Sequence, residues 1–291
     1  MRTAAVQCTA SSDRAANLRH ASELVAAAAN DRAELVVLPE LFSLSADPAG
    51  LRAAAEPLDG PTGTWACETA ALHRLWLVAG SFIERAPTGR LHNTSVLVSP
   101  DGAPSAVYRK VHLFDVDVPG AVSRESDVVA PGDDLVLATV TDSAARKLPV
   151  GLSVCYDLRF PEVYRILTLR GALVMVVPAA FSAQTGPAHW EVLVRARALE
   201  NQVFVVAAGQ DGARPGTFST HGHSMIVDPW GQVLASLPQG EGHVVADLDL
   251  RSQQEVRSRL PALPHRRPGV YRWPVPATPG SGYDPAAPGG W

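Results

Sequence analysis

The segment LPVGLSVCYDLRFPEVYRIL, residues 148–167, combines a strand, a turn and the start of a helix around one cysteine, Cys155. Residues 148–154 are apolar over the length of a strand, and Pro161 suits the first turn of a helix that continues to Leu167. This pattern predicts an α/β fold. Cys155 would then project from the carboxyl edge of a sheet, where open α/β sheets bind their ligands.

Cys155 has two interpretations. Free cysteine is among the most buried residue types, so inert packing in a core is a common role for it. Here, however, three ionisable side chains follow closely, those of Asp157, Arg159 and Glu162. The strand-turn-helix setting is also that of a nucleophile elbow. The local chemistry therefore favours a nucleophile over packing.

Composition argues against several classes of partner. The 291 residues carry 25 Lys and Arg against 29 Asp and Glu, a net charge of −4, and no basic run is interleaved with aromatic residues. Nucleic acid and anionic membranes are therefore not expected as partners. The start of the chain lacks the apolar stretch of a signal peptide, and no segment approaches the ~18 uninterrupted apolar residues of a membrane helix. We expect a soluble cytoplasmic protein.

The cysteine and histidine content predicts no cofactor. Cys8, Cys67 and Cys155 are too few and too scattered for a disulfide framework, and no CxxC pair indicates zinc. Reduced thiols suit a reducing compartment, which a thiol nucleophile would also need. The histidines of HGH at residues 221–223, together with the distant His243, lack the usual spacing of metal ligands, so a metal hydrolase is a weaker alternative.

Two polar side chains stand at or near the ends of predicted strands. Residues 35–38 form a predicted buried strand that Pro39 ends, and Glu40 follows at once. A solvated loop carboxylate is the ordinary alternative for Glu40. Residues 106–113 predict a strand that carries Lys110 late, and strict alternation would allow Lys110 to lie on an exposed face.

The region after this strand has little periodicity. Residues 114–132 contain two Pro-Gly breaks, which predict a long structureless loop that is functional and holds Glu125. Near the other end, residues 244–250 are expected to be the last regular element. The chain from Pro261 is rich in Pro and Gly and predicts an extended arm or a disordered tail.

An internal repeat indicates the architecture. ELVVLPELFS, residues 34–43, and ALVMVVPAAFS, residues 172–182, both run from an apolar strand through proline to phenylalanine and serine. We interpret them as pseudo-equivalent halves, each with functional groups at the carboxyl end of a strand. Two such layers packed sheet against sheet would explain why many strands are apolar throughout. One domain is expected over residues 1–271, with a Pro/Gly-rich tail at 272–291.

Five blocks of the sequence, taken in order, resemble the nitrilase superfamily of carbon-nitrogen hydrolases. They are LPELF (38–42), YRKVHLFDVDVPG (108–120), GLSVCYDLRFPE (151–162), TGPAHWEVLVRARALENQ (185–202) and HGHSMIVDPWG (221–231). The resemblance is closest to the amidase branch that contains deaminated glutathione amidase and the omega-amidases. AAFS departs slightly from the branch pattern, and the Pro/Gly extension is not a family feature. The resemblance implies a four-layer α-β-β-α sandwich, most often a homodimer, acting on a small amide without a cofactor.

The resemblance also implies roles for individual residues. Cys155 is the expected nucleophile, Glu40 the general base and acid, Lys110 the stabiliser of the oxyanion, and Glu125 a second carboxylate beside them. A thiol attacks only as thiolate, so a carboxylate that takes its proton and an ammonium that stabilises the anion are both useful. A thioester intermediate follows, and the backbone N–H of Tyr156 is a second candidate donor to the oxyanion.

The branch further implies an acyl half that is a short dicarboxylate such as 2-oxoglutarate. Arg159 is the candidate to bind its free carboxylate, with hydrogen bonds from Tyr156 or His189. An ion pair of Arg159 with Glu162 that holds the elbow is the alternative. The substrate could equally be a nitrile, a carbamoyl amide or another small amide, and an inactive scaffold with the same fold is a non-enzymatic alternative.

Overall fold

The computed structural model describes residues 1–119, 121–215 and 217–271. The strands are β1 (Arg2–Gln7), β2 (Leu35–Val37), β3 (Trp76–Val78), β4 (Phe82–Arg85), β5 (Leu91–Val98), β6 (Pro104–Arg109), β7 (Asp115–Val118), β8 (Ala121–Arg124), β9 (Leu137–Thr141), β10 (Lys147–Leu152), β11 (Val174–Ala179), β12 (Phe204–Gly209), β13 (Asp211–Gly212), β14 (Thr220–His221), β15 (Ser224–Val227), β16 (Val233–Leu237) and β17 (Gly242–Asp247). The α-helices are α1 (Arg14–Asn30), α2 (Pro48–Ala53), α3 (Pro61–His73), α4 (Pro161–Leu169), α5 (Gly186–Asn201) and α6 (Leu250–Arg259). The predicted tail at 272–291 lies outside the described residues.

Two mixed sheets form the centre of the fold. The first has the order β17-β1-β2-β3-β5-β4, with β6 paired to β5, and the second has the order β16-β15-β12-β11-β10-β9. Strands β1, β2 and β3 are parallel to one another, as are β10, β11 and β12. The carboxyl ends of three neighbouring strands therefore meet at one edge of each sheet, which is where the site lies.

Alternation along the central strands builds the layers. Ala4 and Val36 pack into a core with helices α1 and α3, whereas their neighbours Ala5 and Val37 pack into a core shared with the second sheet. Trp190 of α5 belongs to this second core, as do buried side chains of α4. Successive side chains of a strand point to opposite faces, so each sheet is apolar on both sides. The predicted α-β-β-α sandwich is confirmed.

Several local predictions hold. The side chain of Asp13 caps α1 by accepting a hydrogen bond from the backbone N–H of Ala16, and β15 and β16 form the predicted hairpin. The helix after Cys155 begins at Pro161, as its place in the sequence predicts. None of the helices in the described residues combines the length and apolar character that a membrane crossing requires.

The loop predicted at residues 114–132 is not structureless, and this prediction was wrong. Strands β7 and β8 form a hairpin in which Asp115 pairs with Arg124, and a 3₁₀ turn over Glu125–Asp127 follows. Among the described residues these two short strands pair with each other alone, so neither carries the apolar face by which a sheet strand is recognised. Glu125 is thereby held at the base of a hairpin.

Two further expectations also need correction. Strand β6 ends at Arg109 rather than at residue 113, so Lys110 lies just beyond it, and its buried side chain excludes the alternative of an exposed strand face. Residues 244–250 are not the last regular element, because α6 follows β17. Helix α6 is strongly polar and buries only Gln253, so the sequence has no apolar stripe from which this helix could be predicted.

Candidate active site

Cys155 begins a 3₁₀ helix, Cys155–Arg159, which Ser153 and Val154 separate from the end of β10. Its φ of +48° lies in the left-handed region, which a residue other than glycine adopts only where the surroundings impose it. Here the hydrogen bonds of buried Asp157 hold the turn. Its Oδ2 accepts from the backbone N–H of Val154 at 2.8 Å and from the hydroxyl of Tyr108 at 2.6 Å. Its Oδ1 accepts from the backbone N–H of His112 at 3.1 Å. The predicted elbow therefore exists and is held by a buried carboxylate.

Glu40 stands at the corresponding edge of the first sheet, just beyond β2. Its carboxylate Oε2 accepts a hydrogen bond of 2.9 Å from the backbone N–H of Ala180, which follows β11 in the second sheet. The side chain of Gln210 donates to the Glu40 backbone carbonyl at 2.6 Å. Leu41 has a φ of +51°, so a strained residue adjoins Glu40 as well. The packing of the two sheets thus brings Glu40 to the elbow cysteine.

Lys110 joins two carboxylates at this point. Its Nζ donates to Glu40 Oε1 at 2.9 Å and to Glu125 Oε2 at 2.7 Å, and the lysine is only 2 % exposed. Asn93, in β5, donates its Nδ2 to the Oε1 atoms of both glutamates, at 2.9 Å each. The backbone N–H of Phe114 also donates to Glu125, at 2.7 Å. Glu125 therefore holds Lys110 in place and itself accepts three hydrogen bonds.

The sequence interpretation missed Asn93. Its only signal is a polar residue inside a strand that is buried along nearly its whole length, within the segment LHNTSVLV of β5. An uncharged buried amide in a strand needs hydrogen-bond partners, but the sequence does not say which residues supply them.

The pKa shifts of Glu40, Cys155 and Lys110 determine which of these groups is charged in the resting site. Burial would raise the pKa of Glu40, but the charge and hydrogen bond of Lys110, together with hydrogen bonds from Cys155 and the backbone of Ala180, outweigh burial and lower the pKa below its ordinary value. Burial and the negative charge of Glu40 raise the pKa of the Cys155 thiol well above its ordinary range, against the opposing charge of Lys110. Burial would lower the pKa of Lys110, but the charges of Glu125 and Glu40 raise it. The resting site thus holds a protonated thiol beside an ionised carboxylate and an ammonium.

Tyr156 follows Cys155, and its ring packs edge-on against Phe114 and Phe160. Its backbone N–H is at the start of the 3₁₀ helix and has no acceptor among the residues that the structure describes. A free N–H beside a nucleophile is the geometry of an oxyanion donor.

Arg159 ends the 3₁₀ helix that begins at Cys155, and its side chain lies against the start of α5. Its Nη1 is 3.2 Å from Nδ1 of the exposed His189, its Nη2 donates to the Thr185 hydroxyl at 3.4 Å, and its guanidinium stacks 5.0 Å from the centre of the Phe181 ring. Arg159 makes these contacts in place of the alternative ion pair with Glu162. His189 therefore contacts Arg159 directly.

Two cavities meet at Cys155. The larger, of about 470 Å³, is lined by Glu40, Lys110 and Cys155 together with the β7–β8 hairpin and the loop after β13. The smaller, of about 10 Å³, is lined by Cys155, Tyr156 and Arg159. The larger cavity therefore has room for a small molecule beside the thiol, whereas the smaller has room for about one water molecule.

The three histidines considered as metal ligands do not converge. The rings of His221 and His223 lie 5.8 Å apart between their centroids, whereas His243 is bonded to Asp31 through Nε2 at 2.8 Å. Among the described residues no group of three or more potential ligand side chains is placed to hold a metal ion.

Comparison with known proteins agrees with this arrangement. A model of the carbon-nitrogen hydrolase family matches residues 2–258. Human deaminated glutathione amidase is 42% identical over 274 residues, covering 92% of this chain and 83% of that protein. Human omega-amidase NIT2 is 38% identical over 271 residues, covering 93% and 96%. The crystal structure of Saccharomyces cerevisiae Nit3, a member of branch 10 of the nitrilase superfamily, matches with a TM-score of 0.81 and 32% identity, covering 92% and 96%.

The layered fold, with buried polar groups gathered at the carboxyl edges of two packed sheets, is that of a nitrilase-superfamily enzyme. The chain belongs to the carbon-nitrogen hydrolase family. The resemblance inferred from the five sequence blocks is therefore confirmed, and with it the hydrolase class of the protein.

Proposed function

We propose that this protein hydrolyses the amide bond of small carboxylate-bearing amides, with Cys155 as nucleophile and a thioester as intermediate. The observation that carries the proposal is the arrangement of charges around Glu40. Its carboxylate is bonded to the Lys110 ammonium at 2.9 Å and stands beside the protonated thiol of Cys155. A base, a cation and a thiol thus line one cavity, and the base contacts the cation directly.

The first half of the reaction forms the thioester. Glu40 takes the proton of the Cys155 thiol, and the thiolate sulfur adds to the amide carbonyl carbon. An ammonium has three N–H donors, and two of those on Lys110 are used by Glu40 and Glu125, so the third can donate to the oxyanion. The backbone N–H of Tyr156 supplies a second donor. Glu40 then gives its proton to the leaving nitrogen, and the carbon-nitrogen bond breaks.

The second half releases the acid. Glu40, ionised again, takes a proton from a water molecule whose oxygen adds to the thioester carbonyl. Collapse of this adduct breaks the carbon-sulfur bond and returns the proton to the thiolate of Cys155. One carboxylate serves both halves because Glu40 passes on each proton that it takes, first to the leaving nitrogen and then to the Cys155 thiolate. The charge of Lys110 lowers the pKa of Glu40 and so favours its ionised form between these transfers.

Arg159 is the proposed ligand of the free carboxylate on the acyl half, and His189 supports it. Two relatives act, by their names, on deaminated glutathione and as an omega-amidase, which supports an acyl half of 2-oxoglutarate type. The cavity at Arg159 is small, so the acyl chain reaches the guanidinium only if the ring of Phe114 or Tyr156 moves aside. The side chain of Arg159 then exchanges its contact with Thr185 for the carboxylate.

Intact-protein mass spectrometry tests the proposal directly. The protein is mixed with deaminated glutathione or 2-oxoglutaramate, and released 2-oxoglutarate is measured in a coupled assay. Release of the keto acid, with an acyl adduct on Cys155 where deacylation is slow, is the expected result. If a small electrophile labels Cys155 but there is no turnover, the protein would still be interpreted as a thiol hydrolase, but not one for this substrate class. Nitriles, carbamoyl amides and other amides would then be the remaining candidate substrates. The absence of both labelling and turnover would favour an inactive scaffold.

The proposed assembly is a homodimer, and the proposed setting is the cytoplasm. An apolar surface supports the dimer: Val192 and Leu199 of α5 and the neighbouring Trp230 are each more than half exposed. Sedimentation velocity of the wild type and of Trp230→Asp tests it, because an isologous contact repeats this patch on both subunits. The free thiols of Cys8, Cys67 and Cys155 support a reducing compartment.

A further inference from the structure

The two sheets each supply part of the candidate active site, and separate bonds hold these parts together. Glu40 follows β2 of the first sheet and is tied to the second sheet by the backbone N–H of Ala180. Lys110 follows β6 of the first sheet, and its backbone N–H donates to the Asn93 carbonyl of β5 at 2.9 Å. Other contacts must therefore fix Lys110 relative to the elbow that carries Cys155.

Asp157 supplies those contacts. It lies two residues after Cys155, is fully buried, and accepts hydrogen bonds from the side chains of Tyr108 at 2.6 Å and His112 at 2.9 Å. These two residues stand two positions before and two positions after Lys110. The backbone N–H of His112 donates to the same carboxylate at 3.1 Å. One carboxylate of the elbow thus binds residues 108–112, the Lys110 segment, on both sides of the lysine.

The carboxylate of Asp157 requires both side chains to donate. An ionised carboxylate only accepts hydrogen bonds, so Nδ1 of His112 carries a proton here. Burial and the charge of Asp157 raise the pKa of the Tyr108 hydroxyl well above its ordinary range, so this hydroxyl stays protonated. The backbone N–H of Val154, within the elbow, donates to Asp157 at 2.8 Å. Asp157 is therefore bonded to the elbow and to the Lys110 segment at once.

Asp157 acts on the site from behind it. Among the described residues, the linings of the two cavities at Cys155 include neither Asp157 nor Tyr108 nor His112. A molecule bound in these cavities would therefore contact none of the three. Their effect on the reaction must pass through the groups that they hold in place.

The two proposed oxyanion donors come from the two parts of the site that Asp157 joins. The Lys110 ammonium belongs to the Lys110 segment, whereas the backbone N–H of Tyr156 belongs to the elbow and lies one residue before Asp157. Both donors must point at the same oxygen atom, so their relative position matters. A misplacement of about 1 Å in such an arrangement can lower a rate by about 100-fold.

We propose that Asp157 is a positioning residue that aligns the Lys110 ammonium with the backbone N–H of Tyr156. It does so through the hydrogen bonds that it accepts from Tyr108 and His112. This inference rests on the proposed amidase function and adds to it the structural basis of the oxyanion site. Asp157 could instead support the elbow alone. That role would affect every reaction of the thiol alike, whereas alignment of the donors affects only reactions that form an oxyanion.

The test compares two reactions of Cys155 in the same variants. Hydrolysis of 2-oxoglutaramate forms an oxyanion, and released 2-oxoglutarate gives kcat and KM. Methylation by iodomethane forms none: the sulfur bonds to the methyl carbon, the carbon-iodine bond breaks, iodide leaves and Glu40 takes the thiol proton. Mass spectrometry of the peptide that contains Cys155 follows this methylation separately from that of Cys8 and Cys67.

Tyr108→Phe removes one hydroxyl and adds no atom. We expect kcat to fall about 10- to 100-fold and KM to stay within about threefold, because the hydroxyl positions a donor of the transition state and contacts no substrate. The rate of methylation should stay within about threefold, since it needs only the thiol and its base.

Tyr164→Phe is the matched control. Tyr164 is equally buried, and its hydroxyl bonds to Ser153 Oγ at 2.9 Å rather than to Asp157. Ser153 keeps its own hydrogen bond to the Val176 carbonyl when that hydroxyl is removed. The same chemical change should therefore leave kcat within about threefold of the wild type.

His112 offers a second pair of variants, which separates donation from packing. Its ring stacks on the Phe160 ring with 3.6 Å between the centroids. His112→Phe keeps a ring for this stack but cannot donate to Asp157, so kcat should fall about tenfold or more. His112→Asn loses the stack but has an amide N–H that can donate to Asp157, so it should keep most of the wild-type kcat. The reverse order would mean that His112 acts by packing and would overturn the inference.

Other results also decide against the inference. It fails, and the proposed function stands, if the wild type hydrolyses 2-oxoglutaramate and Tyr108→Phe does so with unchanged kcat. It also fails if hydrolysis and methylation fall by the same factor in Tyr108→Phe, or if Tyr164→Phe loses as much kcat, because either result indicates general support of the elbow. The His112 pair decides the question should Tyr108→Phe not fold. If the wild type hydrolyses no amide, the proposed function and the inference fail together.

Discussion

The carboxylate Oε2 of Glu40 accepts a 2.9 Å hydrogen bond from the backbone N–H of Ala180, 140 residues further along the chain. Glu40 follows β2 of the first sheet and Ala180 follows β11 of the second, and both strands belong to the repeated segments of the sequence. The bond therefore joins the carboxyl ends of the two halves. It also orients Glu40, because the second oxygen is left to face Lys110. The pseudo-equivalence of the halves thus has a direct consequence for the chemistry.

Cys155→Ala should abolish turnover while the protein stays folded. Loss of the nucleophile in thiol and serine hydrolases costs ~10⁴-fold or more in kcat, and the elbow is held by Asp157 rather than by the sulfur. The melting temperature should therefore stay close to that of the wild type in differential scanning calorimetry. Cys67→Ala, on α3 and far from the cavity, is the control and should keep full activity. A large loss of fold with Cys155→Ala would favour the packing role instead.

Glu40→Gln should bind substrate but stall chemistry. The amide can still accept the hydrogen bond of Ala180, but it cannot take the thiol proton or donate it to the leaving amine. We expect kcat to fall by about 10²- to 10⁴-fold, the usual contribution of a general acid-base group, with little change in Kd by calorimetry. The exposed Glu68→Gln makes the same chemical change as a control. Substantial residual hydrolysis would remove Glu40 from the role of base.

Asn93→Asp should impair catalysis through Glu40 without touching the substrate. The Asn93 amide donates to both glutamates, and an aspartate there would place a third carboxylate against them. The added negative charge raises the pKa of Glu40, so the acid limb of the pH profile of kcat/KM should move to higher pH, with activity at neutral pH reduced about tenfold or more. Asn30→Asp, at the exposed end of α1, should leave the profile unchanged. A lower melting temperature with an unshifted profile would mean that Asn93 is only structural.

Cys8 should make the protein sensitive to alkali. Burial, with a smaller effect of the Glu241 charge, raises the pKa of this thiol from 9.0 to about 12. Above pH 9 the unfolded chain loses the proton and the folded chain keeps it, so stability is intact below that pH and declines above it. The free energy of unfolding should fall by about 2 kcal/mol near pH 10.5, at about 1.36 kcal/mol for each pH unit.

Urea titrations between pH 8 and 10.5 measure this effect. In Cys8→Ala the free energy of unfolding should not show the part of the decline that the Cys8 thiol causes, whatever its value at pH 8, because all other titrating groups are the same. Cys67→Ala is the control, since that thiol is partly exposed. Parallel curves for the wild type and Cys8→Ala would contradict the prediction.

Local sequence was sufficient for several elements of the fold. The cap at Asp13, the turn at Cys155 and the helix start at Pro161 depend on backbone geometry that neighbouring residues impose. It was insufficient for the β7–β8 hairpin and for α6, because a two-stranded ribbon and a polar helix carry no apolar face that would show in the periodicity.

By itself, the sequence determined the α/β class, the elbow at Cys155 and the residue types of the site, since hydrophobic periodicity, turn residues and family blocks are local properties. Tertiary structure alone decided which groups meet. Asn93 reaches Glu40 across 53 residues, and Arg214 enters the cavity from a loop of its own. Such contacts depend on how two sheets pack and which loops cover their edge. Packing brings together residues that are far apart along the chain, and their spacing in the sequence does not predict that they are close in space.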